Sequence, residues 1–211
     1  MTTKIAIIGI DGSGKTTLIN KLEKRLILNG YAVKKCSYKQ HNYTILEEYS
    51  SKFFITQEMR MYASFFDFLS TFSEAKDVDF ILWDRFIFCI LAYYRALKIS
   101  SSETLSHLIQ NFMPDYIYYL DIPVNSAIKR LKNRGPVKPL ENAEFLSKVQ
   151  KEYKKICKKN HGQPVKFRLQ LLGGKVYLHG SRKRVLQKIL LFSAKQYQIP
   201  SADNHKCLLD P

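Results

Sequence analysis

Residues 9–17 read Gly9-Ile10-Asp11-Gly12-Ser13-Gly14-Lys15-Thr16-Thr17 and directly follow the apolar run Ile5-Ala6-Ile7-Ile8. They match the pattern G-x-x-x-x-G-K-[ST] in the strand-then-helix setting that this phosphate-binding motif requires. The glycines let backbone N–H groups curl around a phosphate, because a side chain at Gly12 or Gly14 would block that approach. The stretch therefore predicts a strand, a phosphate-binding loop and a helix that together hold a nucleoside triphosphate.

Two side chains of this loop carry the expected chemistry. Lys15 is predicted to reach the β and γ oxygens of ATP, and the Thr16 hydroxyl is predicted to ligate Mg²⁺. The helix that begins near Lys15 presents its positive end to the phosphates. The predicted ATP-binding residues are Gly9, Asp11, Gly12, Ser13, Gly14, Lys15, Thr16 and Thr17.

A second motif ends another apolar strand, residues 78–83, which runs into Asp84-Arg85. Open parallel sheets bind their ligands at the carboxyl ends of the strands. A carboxylate at Asp84 suits Mg²⁺ coordination, and the guanidinium of Arg85 offers a fork for a second phosphate. The same two residues also fit a simple strand end at which they pair with each other.

Strand-like and helix-like segments alternate along the chain, which predicts an α/β fold with a parallel sheet of five strands between layers of helices. Residues 39–56 are expected to be a polar loop, and Gly135-Pro136-Val137-Lys138-Pro139 excludes a regular helix, so a flexible lid is predicted at about 134–142. The predicted strands are 4–9, 31–38, 78–83, 116–120 and 176–178, with 166–172 as a further short strand. The predicted helices are 15–29, 57–75, 86–97, 102–112, a basic helix ending at Gly135, 142–160 and 181–197, before an irregular tail at about 200–211.

Length and composition predict one domain over residues 1–211. With 45% hydrophobic residues, the chain can bury a full core without metals or disulfides. The four cysteines, Cys36, Cys89, Cys157 and Cys207, are widely scattered and are expected to be thiols of a reducing compartment. No apolar run approaches the ~20 residues of a membrane span, so we expect a cytoplasmic protein without a membrane partner.

Positive charge is concentrated in the last two-fifths of the chain. Residues 1–128 hold 14 basic and 13 acidic residues, whereas residues 129–211 hold 20 basic and 5 acidic residues. Three explanations fit this asymmetry: an electrostatic funnel for polyphosphates, a nucleic-acid surface, or a solvated basic face. The basic clusters fall on predicted helices without interleaved aromatic residues, which weakens the nucleic-acid explanation.

Taken together, these motifs resemble the thymidylate kinase family of P-loop nucleoside monophosphate kinases. The resemblance runs over most of residues 4–197 and implies a three-layer α/β/α sandwich whose lid closes over the nucleotides. It also implies transfer of the γ-phosphoryl group of ATP to a nucleoside monophosphate. The matching stretches are Gly9 to Thr17, Asp84-Arg85-Phe86, Leu91-Ala92-Tyr93, Pro114-Asp115-Tyr116 to Asp121, Ala127-Ile128-Lys129-Arg130-Leu131 with Arg134-Gly135, and Phe145-Leu146 to Tyr153.

The resemblance implies a role for each matching residue of the catalytic set. Lys15 would hold ATP, and Asp84 would be the metal-side partner of Thr16. Arg130 and Arg134 resemble arginines at the base of the lid that lie near the adenine and the moving phosphoryl group. The predicted catalytic residues are Lys15, Asp84, Arg85, Arg130 and Arg134, and the predicted metal ligands are Thr16 and Asp84.

On the acceptor side, the resemblance implies that Asp11 approaches the acceptor sugar and that Arg85 grips the acceptor phosphate. Tyr62 aligns with an aromatic residue that stacks on the acceptor base, and Tyr93 with an aromatic residue beside the sugar. Arg60 is added to this predicted set as a substitute for an arginine that the family carries further along the same helix.

The chain departs from the family pattern mainly on this acceptor side. Tyr38-Lys39-Gln40-His41-Asn42 stands where the family has an Arg-Glu-Pro-Gly-Gly type segment, and Phe65-Phe66-Asp67 replaces an Asp-Arg pair. Tyr94 stands where a glutamine is common, and Lys138-Pro139-Leu140-Glu141 lacks the usual Asp-Arg of the lid. The acceptor site is therefore predicted to be remodelled.

The leading hypothesis is an ATP-dependent phosphotransferase that acts on a dTMP-like nucleoside monophosphate, with a homodimer as the expected assembly. A first alternative is a kinase of a nucleoside or another small alcohol, for which Asp84 or Asp11 would serve as base. A second alternative is an ATP-binding protein that interacts with nucleic acid or has a regulatory role, without kinase activity.

Overall fold

Four parallel strands form the centre of the fold. The computed structural model describes residues 2–37, 41–73, 77–159, 167–172 and 175–179. The central strands pair side by side in the order β2-β3-β1-β4, all parallel. They are β1 (Thr3–Ile8), β2 (Val33–Cys36), β3 (Phe80–Asp84) and β4 (Tyr116–Asp121).

Helices connect these strands, as the alternation in the sequence predicts. They are α1 (Lys15–Leu28), α2 (Asn42–Tyr49), α3 (Gln57–Ser73), α4 (Ile87–Ala96), α5 (Ser102–Leu108), α6 (Val124–Arg134) and α7 (Ala143–Lys159). Short 3-10 turns follow α5 at Ile109–Phe112 and precede α7 at Pro139–Glu141. The second turn lies within the predicted lid, and no regular helix forms between Gly135 and Lys138.

The two faces of the sheet bury different residues, because successive side chains of a strand point to opposite sides. Ile5 and Ile7 of β1 pack against α1, whose buried residues recur at helical spacing: Leu18, Ile19, Leu22 and Leu26. Ala6 and Ile8 of β1 face the other core, which receives side chains from α3, α4 and α7. The α/β class with helices on both sides of a parallel sheet is confirmed.

The predicted loop at 39–56 is wrong in part, because it contains α2. His41, the residue before this helix, makes no side-chain hydrogen bond to it in the described structure. The missing cap comes instead from Asp67 on α3, whose carboxylate accepts hydrogen bonds from the backbone N–H groups of Asn42 and Tyr43 at 2.8 and 3.0 Å. A partner 25 residues away leaves no local signal in the sequence.

Beyond α7, the backbone of β5 (Phe167–Leu172) pairs parallel with β4, and β6 (Lys175–His179) pairs antiparallel with β5. The prediction of 176–178 as a parallel strand is therefore wrong. Only two residues separate β5 from β6, whereas a parallel crossover needs about a dozen.

Two further predictions cannot be compared with the structure. The predicted helix at 181–197 and the tail at 200–211 lie outside the described residues, so the single domain over 1–211 also stays a prediction. Within the described part of the chain, every helix is too short or too polar to cross a lipid bilayer.

Candidate active site

The site lies where the carboxyl ends of β1 and β3 meet. In the parallel register Ile7 is paired with Asp84, and the backbone N–H of Arg85 donates to the carbonyl oxygen of Ile7 at 3.3 Å. The loop that follows β1 and the Asp84-Arg85 pair that follows β3 are thereby brought together. This is the edge of an open parallel sheet at which ligands bind.

The loop needs glycine for two reasons. Gly12 and Gly14 have φ values of +77° and +93°, in the left-handed region that other residues rarely adopt. A Cβ atom at Gly12 would also lie 2.5 Å from the carbonyl oxygen of Ala127 in α6. The close approach of α6 is therefore a second reason for a glycine at Gly12. The first reason, which the sequence already indicates, is that a side chain there would block the phosphate.

Lys15 is the first residue of α1 and is only 5% exposed. Its ammonium group donates to the carbonyl oxygens of Gly9 and Ile10 at 2.9 and 2.8 Å. Burial lowers the pKa of Lys15 to about 8, with a further lowering by Arg85 that Asp11 opposes. The lysine is thus a buried cation held over the loop by the loop's own carbonyl groups.

Thr16 and Asp84, the two predicted metal ligands, are in direct contact. The Thr16 hydroxyl donates to Oδ2 of Asp84 at 2.6 Å. The other carboxylate oxygen, Oδ1, is buried and has no hydrogen-bond partner among the described residues. Burying a carboxylate oxygen without a partner costs free energy unless a cation or a hydrogen-bond donor binds to it.

Asp11, Arg85 and Tyr93 form a network beside the loop. Arg85 donates to the Asp11 carboxylate in an ion pair, and the Asp11 backbone N–H donates to the Tyr93 hydroxyl at 3.1 Å. Burial alone would raise the pKa of the Asp11 carboxyl. The charges of Arg85 and Lys15, with hydrogen bonds from Tyr93 and Arg85, outweigh burial and hold that pKa well below its usual range. Asp11 is therefore a fixed anion in this site.

Arg85 also has an unusual backbone, with φ +74°. A bulky residue in the left-handed region is strained by about 1 to 3 kcal/mol, and such strain is concentrated at functional sites. This conformation and the ion pair to Asp11 together fix the position of the Arg85 guanidinium at the end of β3.

The two other predicted arginines lie on α6. The Arg130 guanidinium donates to the loop carbonyls of Gly12 and Ser13 at 3.4 and 3.3 Å. Arg134 is 63% exposed and donates to Oε1 of Glu141 at 2.7 Å, and the Lys138 backbone N–H donates to Oε2 of the same glutamate at 3.0 Å. One helix thus contacts the phosphate loop at Arg130 and the predicted lid at Arg134.

An open cleft lies next to this network. Two of the residues predicted for the acceptor, Arg85 and Tyr93, line it, and Asp11 contacts both of them. Its lining residues are Tyr43, Gln57, Ser64, Arg85, Ile90, Tyr93, Tyr94, Leu97 and Leu140.

The structure does not bring Arg60 and Tyr62 to the lining of this cleft. Arg60 donates from Nε to Glu47 and from a terminal nitrogen to the carbonyl oxygen of Ile55, both at 2.7 Å, so its guanidinium ties α3 to α2 and the loop between them. Tyr62 is 45% exposed. It precedes the cleft residue Ser64 by two positions, or about 200° around a helix, which turns it to the opposite side of α3.

Sequence reasoning missed several cleft residues, including Tyr43, Gln57 and Ser64. Gln57 and Ser64 are seven positions apart and so share one face of α3. Polar residues at that spacing in a helix otherwise rich in Phe were a signal that was available. Tyr43 had none, because its position depends on the distant Asp67.

A parallel sheet with a phosphate-binding loop after β1 and a Thr-Asp pair at its edge is the arrangement shared by P-loop nucleotide-binding proteins. The family model for thymidylate kinase matches residues 7–166. The chain belongs to the thymidylate kinase family, whose members are ATP-dependent phosphotransferases.

Curated relatives agree with this assignment, and two solved structures share the fold. The chain is 32% identical to a probable thymidylate kinase 1 of Saccharolobus solfataricus, over 75% of this chain and 85% of that protein. It is 31% identical to a thymidylate kinase of Thermosipho africanus, over 73% and 84% of the two chains. Its fold is similar to that of thymidylate kinase from Candida albicans, with a TM-score of 0.67 at 16% identity and coverage of 93% and 90%. Deoxyadenosine kinase from M. mycoides also shares the fold, with a TM-score of 0.57 at 22% identity and coverage of 79% and 89%.

Proposed function

We propose that this chain transfers the γ-phosphoryl group of ATP to a nucleoside monophosphate bound in the cleft beside Arg85. One observation carries the proposal: the Thr16-Asp84 contact of 2.6 Å lies next to the buried ammonium of Lys15, and Arg85 follows directly and lines the cleft. Groups for the donor phosphates and a group for the acceptor phosphate are therefore adjacent. Phosphoryl transfer depends mainly on such positioning and charge neutralisation.

We propose that Thr16 and Asp84 hold Mg²⁺. The pair fits this ion, because a hydroxyl and a carboxylate are hard oxygen ligands and Oδ1 of Asp84 is buried without a partner among the described residues. The described residues contain no group of three or more His, Cys, Asp or Glu side chains placed to hold a metal, which agrees with an ion that is shared with substrate phosphates. When bound, Mg²⁺ neutralises charge on the phosphate oxygens.

The state of the carboxylates favours an acceptor that arrives already ionised. A hydroxyl acceptor benefits from a carboxylate that can take up its proton. Asp11 is engaged by Arg85 and its pKa is held low, and Asp84 accepts the Thr16 hydroxyl. A monophosphate needs no such base, and its oxygens match the guanidinium fork of Arg85.

The arginines of α6 complete the proposed mechanism. Arg130, bound to the loop carbonyls of Gly12 and Ser13, is close enough to the loop to stabilise charge on the moving phosphoryl group. Arg134 would act through the lid, because its guanidinium is paired with Glu141. We further propose that the protein works in the cytoplasm as a homodimer.

A second candidate function, phosphorylation of a nucleoside or other alcohol, is favoured by one observation. Arg85 is the single cationic side chain among the described residues that line the cleft, where the family pattern has a second arginine. A cleft built for a neutral acceptor needs fewer cations than one built for a dianion.

A panel of nucleoside monophosphates and nucleosides, assayed for ADP release with ATP and Mg²⁺, separates these functions. The variant Arg85→Gln tests within this assay whether Arg85 binds the acceptor phosphate. Losing a charge-assisted hydrogen bond costs about 1.5 to 3 kcal/mol, so the KM for a monophosphate should rise roughly 10- to 150-fold with the KM for ATP nearly unchanged. Arg95→Gln is the matched control, because Arg95 lies on α4 and pairs with Glu103. An Arg85→Gln variant with an unchanged acceptor KM favours the neutral acceptor, and absence of turnover on every acceptor rejects both functions.

The nucleic-acid alternative has its own test. Binding of RNA or DNA through the basic residues of 129–211 would weaken steeply with salt, because each neutralised phosphate releases counterions. If phosphoryl transfer is unaffected by added RNA and no RNA binding is measurable at low salt, the positive charge is explained by a solvated face or by a funnel for ATP.

A further inference from the structure

One side of the acceptor cleft is lined by Tyr43 of α2, a helix that begins at Asn42, the last residue of the segment in which the chain departs from the family pattern after β2. None of the eight described side chains of α2 is buried. Apolar burial therefore contributes little to holding this helix in place. Its position depends on polar contacts with α3.

The side chains of Asp67 and Arg60 on α3 both bind α2. The buried carboxylate of Asp67, 3% exposed, accepts hydrogen bonds from the backbone N–H groups of Asn42 and Tyr43 and from the Asn42 side chain, at 2.8, 3.0 and 2.8 Å. One carboxylate thus caps the helix in the manner of a local N-cap residue, with its charge at the positive end of the helix dipole. Further along α2, Glu47 pairs with Arg60.

Asp67 also determines where the Tyr43 side chain goes. Tyr43 follows the first residue of α2, its N–H is bound to Asp67, and its side chain lines the cleft. The side chains of Arg85 and Tyr94 line the same cleft. Asp67 and the cleft residue Ser64 are three positions apart on α3, so one face of α3 both anchors α2 and lines the cleft.

We propose that Tyr43, positioned by Asp67, selects the acceptor by contacting its nucleobase. Tyr43, Gln57, Ser64 and Tyr94 offer hydroxyl and amide groups and no charge, which suits the uncharged hydrogen-bonding edge of a base rather than a phosphate. In this scheme Arg85 binds the phosphate of the acceptor. Asp67 is a positioning residue in this scheme, because it acts through Tyr43. The inference rests on the proposed function and adds the group that recognises the nucleoside part of the acceptor.

Steady-state kinetics with dTMP, dCMP, dAMP and dGMP test the proposal. Tyr43→Ala should raise the KM of the preferred monophosphate about tenfold or more and reduce discrimination among the four, with the KM for ATP changed less than about twofold. Tyr43→Phe separates the hydroxyl from the ring. Thr71→Val is the matched control on α3, because the Thr71 hydroxyl donates within its own helix, to the carbonyl oxygen of Asp67.

Asp67→Asn should raise the acceptor KM in the same direction, since an amide nitrogen replaces one of the two accepting oxygens. The double variant Tyr43→Ala/Asp67→Asn should be no worse than Tyr43→Ala, because the positioning residue acts only through the tyrosine. Additive effects would make Asp67 a structural residue and overturn its assigned role. If Asp67→Asn does not fold, the partly exposed Tyr43 variants still decide the proposal.

The outcomes separate the inference from the function on which it rests. If the wild type phosphorylates at least one monophosphate and Tyr43→Ala keeps its acceptor KM and preference, the inference fails and the proposed function stands. If the wild type phosphorylates none of the four, both fail, because Tyr43 then has no base to select.

Discussion

The donor side and the acceptor side of this site are built differently. On the donor side, Ser13 and Lys15 are buried, and Lys15 is held by carbonyl groups of its own loop. On the acceptor side, α2 contributes no buried residue, and its contacts join residues 13 and 25 positions apart, in the pairs Glu47-Arg60 and Asn42-Asp67. The centre of the donor side is thus a short contiguous motif, to which Asp84 and Arg130 add contacts from elsewhere in the chain, whereas the acceptor side is assembled almost entirely from distant residues.

This difference explains which part of the site can diverge. A side chain at Gly9 or Gly12 of the loop meets backbone atoms: an added Cβ would lie 2.9 Å from the carbonyl oxygen of Leu120 and 2.5 Å from that of Ala127, respectively. A change in α2 meets a few side-chain hydrogen bonds that can be replaced one at a time. The acceptor preference can therefore shift within the family while the binding of ATP stays constant.

The largest effect is expected on the donor side, from Lys15→Ala. Loss of the ammonium that we propose holds the phosphates should lower turnover about 1,000-fold or more. The fold should persist, because the substitution also removes a buried charge. Turnover and thermal unfolding are compared with those of Lys24→Ala, an exposed lysine of the same helix. Turnover by Lys15→Ala close to that of the wild type would contradict the assignment of the loop.

Gly12→Ala tests whether the loop depends on α6 as well as on the phosphate. The left-handed φ and the clash with Ala127 together should lower the free energy of unfolding by about 2 to 4 kcal/mol. Gly30→Ala is the matched control: Gly30 has a similar φ of +82°, but an added Cβ meets nothing within 4 Å. Urea denaturation should show a clearly smaller loss for Gly30→Ala. Equal losses would mean that backbone strain alone matters at Gly12.

The same division between the two sides decides what the sequence predicts. The loop, the strand before it and α1 were predicted closely, because their signals are local: a contiguous motif, apolar residues at helical spacing and a terminating Gly30. Asp84 and Arg85 were found because the carboxyl ends of parallel strands share an edge. Each of these predictions depends on residues that are neighbours in sequence or on a general rule of topology.

The acceptor side was predicted less well for a physical reason. α2 depends on a cap from Asp67, and the orientation of Tyr62 depends on which face of α3 meets the cleft. Neither is determined by residues nearby in sequence. Arg60 was predicted to substitute for an arginine that the family carries further along the same helix, whereas its guanidinium donates to Glu47 and to the carbonyl oxygen of Ile55.

A smaller effect is expected from pH, which should change the affinity for ATP on the donor side but not the affinity for the monophosphate on the acceptor side. The pKa of Lys15 is lowered to about 8, so above that value ATP binding must first take up a proton. ATP affinity should therefore weaken as pH rises from about 7.5 to 9.5, by at most tenfold per unit, whereas monophosphate binding to the permanently charged Arg85 should stay constant. Calorimetric titration measures both affinities. In Lys15→Arg the dependence should vanish, and an ATP affinity constant to about pH 9.5 in the wild type would contradict the lowered pKa.

The smallest effect is expected from Tyr62→Ala, which probes the border of the acceptor side. Tyr62 is 45% exposed and turned away from Ser64, so the acceptor KM should change less than about twofold. Tyr94→Ala is the contrasting variant, because Tyr94 lines the cleft. Kinetics with the preferred monophosphate compare the two. If Tyr62→Ala impairs the acceptor and Tyr94→Ala does not, the base binds on the other face of α3, and the cleft beside Arg85 holds only the phosphate end of the acceptor.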